Sequence, residues 1–227
     1  PTDVRVTTRV FERDLPSCLF SCIHEGGHGL YDQGLPPSQY GTPLGESISL
    51  GIHESQSRLW ENAVGRSREF WQYFYPKLQA RFPEQLGSVP ESEFYLAINR
   101  ISPSLIRVEA DELTYNLHIM LRFEIELDVI EGRVMIDDLP DVWNAKMQDY
   151  LGIIPSSDAD GVLQDVHWSL GAFGYFPTYT LGNLYAAMLF QQAKIDLPQL
   201  GQHMTEGNLL PLKNWLNDRV HRWGRQY

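Results

Sequence analysis

The sequence is poor in cysteine and in basic residues, and it has no long apolar run. Two cysteines in 227 residues argue against a disulfide-rich secreted protein and favour a reducing, cytoplasmic setting. The 18 Lys and Arg are outnumbered by 29 Asp and Glu, and this net charge of -11 argues against nucleic acids and anionic membranes as partners. No apolar stretch approaches the roughly 18 residues of a membrane span, so we expect no membrane-spanning segment.

The spacing of apolar residues predicts a mainly α fold with a small β element near the N-terminus. The alternation of valine and polar residues over residues 3–10 predicts a strand with one polar face. Helices are predicted at about 14–33, 47–63, 67–82, 104–131, 140–151, 178–195 and 208–223. The sequence has no internal repeat and no convincing linker, so residues 1–227 are predicted to form a single unit.

The stretch HEGGH at residues 24–28 has the spacing of a metal-binding helix. His24 and His28 are four residues apart, so on a helix they project from the same face and can hold one ion. Glu25 lies about 100° round the helix, where it can take a proton from a bound water. In zinc hydrolases three protein ligands leave the fourth position for that water, whose pKa falls to about 7. The alternative is a helix that carries its histidines by chance, but the apolar flank SCLFSCI favours a buried helix whose histidines need a partner.

A third ligand must come from another segment, and GIHESQSRLWEN at residues 51–62 offers His53 and Glu54. Neighbours on a helix point about 100° apart, so one of the pair is expected to bind the ion and the other to face away or line the cleft. We prefer Glu54, because two histidines and one glutamate form a set found in zinc peptidases. Upstream, Cys18 and Cys22 are interpreted as small buried residues rather than as further ligands.

The predicted helix at 104–131, with Ser104 as its cap, is unusually polar for a core helix. Two polar lines run along it, Arg107, Asp111, Thr114, His118 and Arg122 on one, and Glu109, Glu112 and Asn116 on the other. They form either a solvated face with charge pairs or a buried layer whose carboxylates accept the second N–H of metal-bound histidines, and we favour the buried layer.

The segment LQDVHWSLGAFGYFPTYTLG at residues 163–182 combines glycines with His167 and Tyr179. Histidine and tyrosine can donate hydrogen bonds to a developing oxyanion. Taken alone, however, the composition favours a packed aromatic loop.

Five stretches together resemble the carboxypeptidase Taq family of thermostable metallocarboxypeptidases. In chain order they are DVRVTTR, IHEGGHGLYDQGLP, GTPLGESISLGIHESQSRLWEN, IRVEADELTYNLHIMLRFEIE and LQDVHWSLGAFGYFPTYTLGNLYAA. The resemblance implies a nearly all-helical enzyme, usually a homodimer, that uses zinc, with cobalt as the alternative ion, to release single residues from peptide C-termini. Members of the family are longer, so we expect this chain to be the C-terminal catalytic part of a larger enzyme.

The resemblance also implies a role for each candidate residue. His24, His28 and Glu54 are the expected metal ligands, with Glu25 as general base. The resemblance assigns Arg107 to binding of the substrate carboxylate, and it places Glu109 and Glu112 in the layer behind the ligands. It assigns His167 and Tyr179 to contacts with the substrate or the oxyanion. The D-x-R-x-T residues, Asp3, Arg5 and Thr7, are assigned to one end of the cleft, with Arg5 as a second candidate for substrate binding. Competing readings are another HExxH peptidase, or a metal-binding domain whose turnover is impaired by truncation.

Overall fold

Helices joined by loops make up the computed structural model, which describes residues 3–226. The helices are α1 (Leu15–Gly34), α2 (Leu50–Arg58), α3 (Arg68–Arg81), α4 (Pro83–Leu86), α5 (Glu91–Ile98), α6 (Tyr115–Ile130), α7 (Leu139–Leu151), α8 (Pro177–Asp196), α9 (Leu200–Thr205) and α10 (Leu210–Arg219). The mainly α prediction is confirmed. Helix α2 continues directly into a wider π-helical turn, Leu59–Val64. None of the described helices is long and apolar enough to span a membrane.

Side-chain caps fix where the first helices begin. The Asp14 carboxylate accepts the backbone N–H of Ser17, and Pro16 occupies the first turn of α1, where its missing N–H is harmless. Ser49 caps α2 in the same way, by accepting the N–H of Ile52 at 3.1 Å. The Asp14 cap explains why the helix predicted at 14–33 begins where the sequence indicates.

The predicted N-terminal β element is wrong. No strand occurs among residues 3–226, so the segment 3–10 has no neighbouring strand to pair with. It lies beside α1 instead, where the Thr8 hydroxyl donates to the Ser21 hydroxyl at 2.8 Å. The alternation of residues also fails to mark a buried face, because the side chains of Val6 and Val10 are exposed.

The predicted long helix begins about ten residues too early. Residues Arg107–Glu109 form a separate 3-10 turn, and α6 begins only at Tyr115. The Asp111 carboxylate accepts the backbone N–H groups of Leu113 and Thr114, which closes a turn in front of the helix. Asp111, rather than Ser104, therefore marks the start of α6, and Arg107 does not share a helix with His118.

The chain divides into two compact units. The first contains the residues up to Asn99 and those from Leu181 onward, and the second contains Arg100–Thr180. The hydrophobic core of the first unit contains buried aromatic residues, including Trp60, Trp71 and Trp215. In the second unit, α6 packs against α7 around Trp143. That both units serve one catalytic unit stays a prediction.

Candidate metal centre

The three predicted ligands lie together in the first unit. His24 and His28 project from α1, and Glu54 projects from α2. The Glu54 Oε2 atom lies 3.7 Å from His24 Nε2 and 3.5 Å from His28 Nε2. One ligand atom from each residue falls within 4.8 Å of the other two, so the group can hold a metal ion.

Two glycines allow the close approach that forms this group. A Cβ atom on Gly27 would lie 2.6 Å from the Cα of Ser57 and 2.7 Å from the carbonyl oxygen of Gln56, so α1 can touch the backbone of α2 only at a glycine. A Cβ on Gly182 of α8 would lie 2.6 Å from Glu54 Cγ. The second glycine of HEGGH is therefore explained by packing, whereas Gly26 faces open space.

The other ring nitrogens of the two histidines also have partners. His24 Nδ1 lies 2.8 Å from Glu61 Oε2, and His28 Nδ1 lies 3.1 Å from the carbonyl oxygen of His53. A neutral imidazole that donates from Nδ1 keeps its lone pair on Nε2, the atom that faces Glu54. The contacts therefore orient both rings for ligation through Nε2.

Glu54 is prepared to act as an anion. Burial alone would raise the pKa of its carboxyl, but the neighbouring His28 ring and the charge of Arg58 lower that pKa to about 2. Arg58 donates from Nε to Glu54 Oε1 at 2.9 Å, on the oxygen that does not face the histidines. The carboxylate thus keeps its charge at neutral pH and directs Oε2 towards the two rings.

This donor set fits a divalent metal. Two neutral imidazole nitrogens and one carboxylate oxygen are common ligands of zinc, and tetrahedral binding at about 2.1 Å separates ligand atoms by about 3.4 Å. The observed separations of 3.5 and 3.7 Å from Glu54 Oε2 are close to that value. The three side chains therefore suit the ion without a rearrangement of the helices.

The neighbours of the ligands differ from the expectation in one respect. Glu25 is half-buried on α1, next to His24, as its position in the motif predicts. His53 does not turn away: its Nδ1 lies 2.6 Å from His28 Nδ1, and its Nε2 lies 3.2 Å from the Asp32 carboxylate. Burial lowers the pKa of His53, an effect that the charge of His28 reinforces and Asp32 opposes. His53 therefore lies behind His28, a candidate ligand.

A second polar cluster, the arginine cluster of Arg107, Arg122 and Asp165, lies in the second unit. Asp165 Oδ1 accepts from Arg107 Nη2 at 2.7 Å, and Asp165 Oδ2 accepts from Arg122 Nε at 2.6 Å. Burial alone would raise the pKa of Asp165, but the two guanidinium groups lower it. Asp165 balances one of the two positive charges. The buried Glu126 of the same unit accepts from Trp168 Nε1 and the Gly174 N–H instead.

Two predicted site residues adjoin the arginine cluster. His167 Nε2 lies 3.1 Å from the Tyr179 hydroxyl, and the Arg107 guanidinium carbon lies 4.8 Å from the centroid of the Tyr179 ring. The fully buried His118 is also here, and its pKa is lowered to about 4, first by burial and then by Arg122. Three predicted site residues, Arg107, His167 and Tyr179, therefore lie together within the second unit.

The remaining candidates lie at the surface of their own units. Arg5 is 84% exposed and pairs with Asp3 at 2.7 Å. Glu109 and Glu112 are both exposed in the second unit, so their predicted place behind the ligands stays a prediction. The side chain that contacts His24 from behind is Glu61, which the sequence analysis did not single out. Cys22 is exposed as well, so its interpretation as a buried residue is wrong.

Comparison with known proteins identifies the family. The sequence model of the carboxypeptidase Taq (M32) metallopeptidases matches residues 1–227, which include every ligand of the cluster above. The chain belongs to the carboxypeptidase Taq (M32) family. Thermostable carboxypeptidase 1 of Thermus thermophilus is 51% identical to it over 227 residues, and carboxypeptidase 1 of Bacillus subtilis is 49% identical over 224 residues.

Solved structures agree with this assignment. The M32 carboxypeptidase from Deinococcus radiodurans matches 97% of this chain with a TM-score of 0.94 and 47% identity, over 44% of its own length. The Pyrococcus furiosus carboxypeptidase matches 94% of the chain with a TM-score of 0.91 and 42% identity, over 43% of its length. The match to the Thermus protein includes the whole of this chain but only 44% of the Thermus protein. It therefore spans less than half the length of the relatives that it matches.

Proposed function

We propose that this chain carries the catalytic residues of a metal-dependent carboxypeptidase that releases single residues from the C-termini of peptides. The observation that carries the proposal is the ligand group of His24, His28 and Glu54, preformed within a sequence that matches the M32 metallopeptidases throughout. The carboxypeptidase names of its relatives support the substrate class.

Each residue of the metal centre has a defined task in the proposal. His24, His28 and Glu54 hold a divalent metal, with zinc as the proposed ion and cobalt as a substitute. When bound, such a metal supplies a Lewis acid and lowers the pKa of a coordinated water towards neutrality. Glu25, the residue after His24, accepts the proton of the attacking water and passes it to the leaving amine.

The arginine cluster supplies the proposed basis for recognition of a free C-terminus. Arg107 and Arg122 together carry two positive charges against the one negative charge of Asp165, and this excess favours an anionic group such as a substrate carboxylate. Arg107 is the proposed carboxylate-binding residue, with Arg5 as a second candidate. His167 and Tyr179, which contact each other, are proposed to donate to the substrate carbonyl or to the oxyanion that develops there.

The proposal also covers the assembly of the protein, its location and the layer behind the ligands. A homodimer and a cytoplasmic location are proposed from the family resemblance and from the low cysteine count, respectively. The layer behind the ligands is proposed to include Glu109 and Glu112.

A pair of peptides tests the reaction type. The zinc-loaded chain should release one residue at a time from a peptide with a free C-terminus and leave its amidated twin intact, as followed by mass spectrometry. Internal cleavage of both peptides would indicate an endopeptidase, and removal of N-terminal residues would indicate an aminopeptidase. Metal binding without any turnover would favour the alternative of a metal-binding domain.

The variant Glu25→Gln tests the chemistry. The amide keeps the shape of the side chain but loses its basicity, so turnover should fall by about 10²–10⁴-fold while the zinc content stays unchanged. Glu12→Gln, a change at an exposed glutamate before α1, is the matched control and should retain full turnover. Near-normal activity of zinc-loaded Glu25→Gln would contradict the role of Glu25.

A further inference from the structure

We infer that Glu61 is a positioning residue for the metal, which holds His24 in the single tautomer that directs its Nε2 lone pair at the ion. The inference rests on the proposed metal-dependent function and adds to it a residue outside the HEGGH and HES segments. It starts from one contact, the 2.8 Å separation between Glu61 Oε2 and His24 Nδ1.

The chemistry of that contact leaves one arrangement of the imidazole proton. An ionised carboxylate can only accept a hydrogen bond, so Nδ1 of His24 must carry the proton of the neutral ring. The other nitrogen, Nε2, then keeps the lone pair, and it is the atom that lies 3.7 Å from Glu54 Oε2. Without the carboxylate, both tautomers of His24 would be available, and one of them would aim an N–H at the metal.

Two arginines keep the Glu61 carboxylate in its ionised form. Arg58 Nη1 lies 3.3 Å from Glu61 Oε2, and Arg66 Nη2 lies 3.7 Å from Glu61 Oε1. Arg58 is shared, because its Nε also donates to the non-ligand oxygen of Glu54 at 2.9 Å. One guanidinium thus couples the ligand Glu54 to the residue that orients the ligand His24.

The backbone at Glu61 is adapted to this contact. Glu61 lies in the π-helical turn Leu59–Val64, which closes with a 2.8 Å hydrogen bond from the Gly65 N–H to the carbonyl of Trp60. Single π-turns inside helices are frequent at functional sites, because the wider turn re-aims side chains. The turn packs against α1, the helix that carries His24.

Three variants of the full 227-residue chain test the inference. Glu61→Gln removes the charge and offers both an acceptor and a donor to His24, so either tautomer can form. Glu61→Asp keeps the charge but withdraws the carboxylate by about one C–C bond, roughly 1.5 Å. Glu84→Gln removes one negative charge at an exposed position on α4 and serves as the control.

Zinc affinity is the first measurement, made by competition with a chromophoric chelator. Glu61→Gln should bind zinc about 10–100-fold more weakly than the parent chain, the range found for residues that hydrogen-bond metal-bound histidines. Glu61→Asp should also lose affinity, because the contact and not the charge alone is needed. Glu84→Gln should bind zinc like the parent.

The tautomer of His24 is the second measurement, made by ¹⁵N NMR of the imidazole nitrogens. The parent should show a proton on Nδ1 alone, whereas Glu61→Gln should show a mixture of both tautomers. A merely structural role for Glu61 would leave this signature unchanged. Because Glu61→Asp retains the buried charge, it also provides a folded variant if Glu61→Gln is unstable.

The outcomes separate this inference from the proposed function. Parent-like zinc affinity and an unchanged tautomer in Glu61→Gln or Glu61→Asp would overturn the role of Glu61 and leave the proposed carboxypeptidase intact. Weaker zinc binding with a mixed tautomer supports the role of Glu61 even if the parent chain cleaves no peptide. A parent chain that binds no zinc would overturn both.

Discussion

The two polar clusters of this chain satisfy buried charge in opposite ways. In the second unit, Asp165 lies between Arg107 and Arg122, so anion and cations are all supplied by the protein. In the first unit, Arg58 pairs with one oxygen of Glu54, whereas the other oxygen and the rings of His24 and His28 place three electron-pair donors around one point that a metal ion can occupy. Buried charges need partners, so loss of Asp165 should affect mainly the stability of the fold, and loss of a residue of the ligand group should affect mainly the binding of the ion.

Removal of Asp165 should give the largest change in stability. Asp165→Asn leaves two buried guanidinium groups without their shared anion, and breaking a buried ion pair in this way costs about 3–5 kcal/mol. Urea unfolding of the two proteins at pH 7 measures the difference. The exposed Asp137→Asn, which removes the same charge in the same unit, should stay within about 0.5 kcal/mol of the parent. An equal loss in both variants would show that net charge, not the arginine cluster, sets stability.

Removal of Glu54 should affect the ion more than the fold. Glu54→Ala deletes a ligand, so zinc affinity should fall by more than the roughly 100-fold upper range for residues behind the ligands, about 2.7 kcal/mol. His53→Ala should bind zinc nearly as well as the parent, because the backbone carbonyl of residue 53, which lies 3.1 Å from His28 Nδ1, survives the change. Chelator competition on both variants decides between the neighbours. A larger loss in His53→Ala would move the ligand assignment from Glu54 to His53.

The two histidines of the candidate metal centre could be found from the sequence because they depend on local spacing. His24 and His28 lie one helical turn apart, whereas the choice of Glu54 over His53 came from the ligand set of zinc peptidases and from a family motif. The start of α6 could not be predicted in this way. Its position depends on the Asp111 carboxylate, which also accepts from the distant Ser102 N–H at 3.0 Å.

The supporting residues were missed for a related reason. Asp165 is 43 residues from Arg122 along the chain, so no sequence periodicity relates the two. Glu61 follows Glu54 by seven residues and Arg58 by three, so it falls on the expected helix face, but its partner His24 is 37 residues away. A charged residue on the ligand-bearing side of α2 was the signal available for Glu61. The N-terminal alternation failed because a strand needs a partner, which its own sequence does not reveal.

The smallest predicted effect concerns the two glycines of HEGGH, which offer a matched pair. In Gly27→Ala the new methyl group would meet the backbone of Gln56 and Ser57 at less than 3.0 Å, so α1 and α2 must separate. Such overpacking costs about 1–3 kcal/mol, and it should also weaken zinc binding, because Glu54 moves away from the histidines with α2. In Gly26→Ala the methyl group faces open space, and alanine favours the helix by up to about 1 kcal/mol, so stability should hold or rise.

Thermal unfolding and zinc competition on both glycine variants measure the comparison. A coupled loss of stability and zinc affinity in Gly27→Ala alone would tie the ligand group to the α1–α2 contact. Equal changes in stability and zinc affinity in Gly26→Ala and Gly27→Ala would contradict that link. The effect of alanine would then come from the backbone of α1 and not from the contact between α1 and α2. The metal centre would in that case tolerate a shift between its two helices, and the preformed separations of 3.5 and 3.7 Å would not determine its affinity.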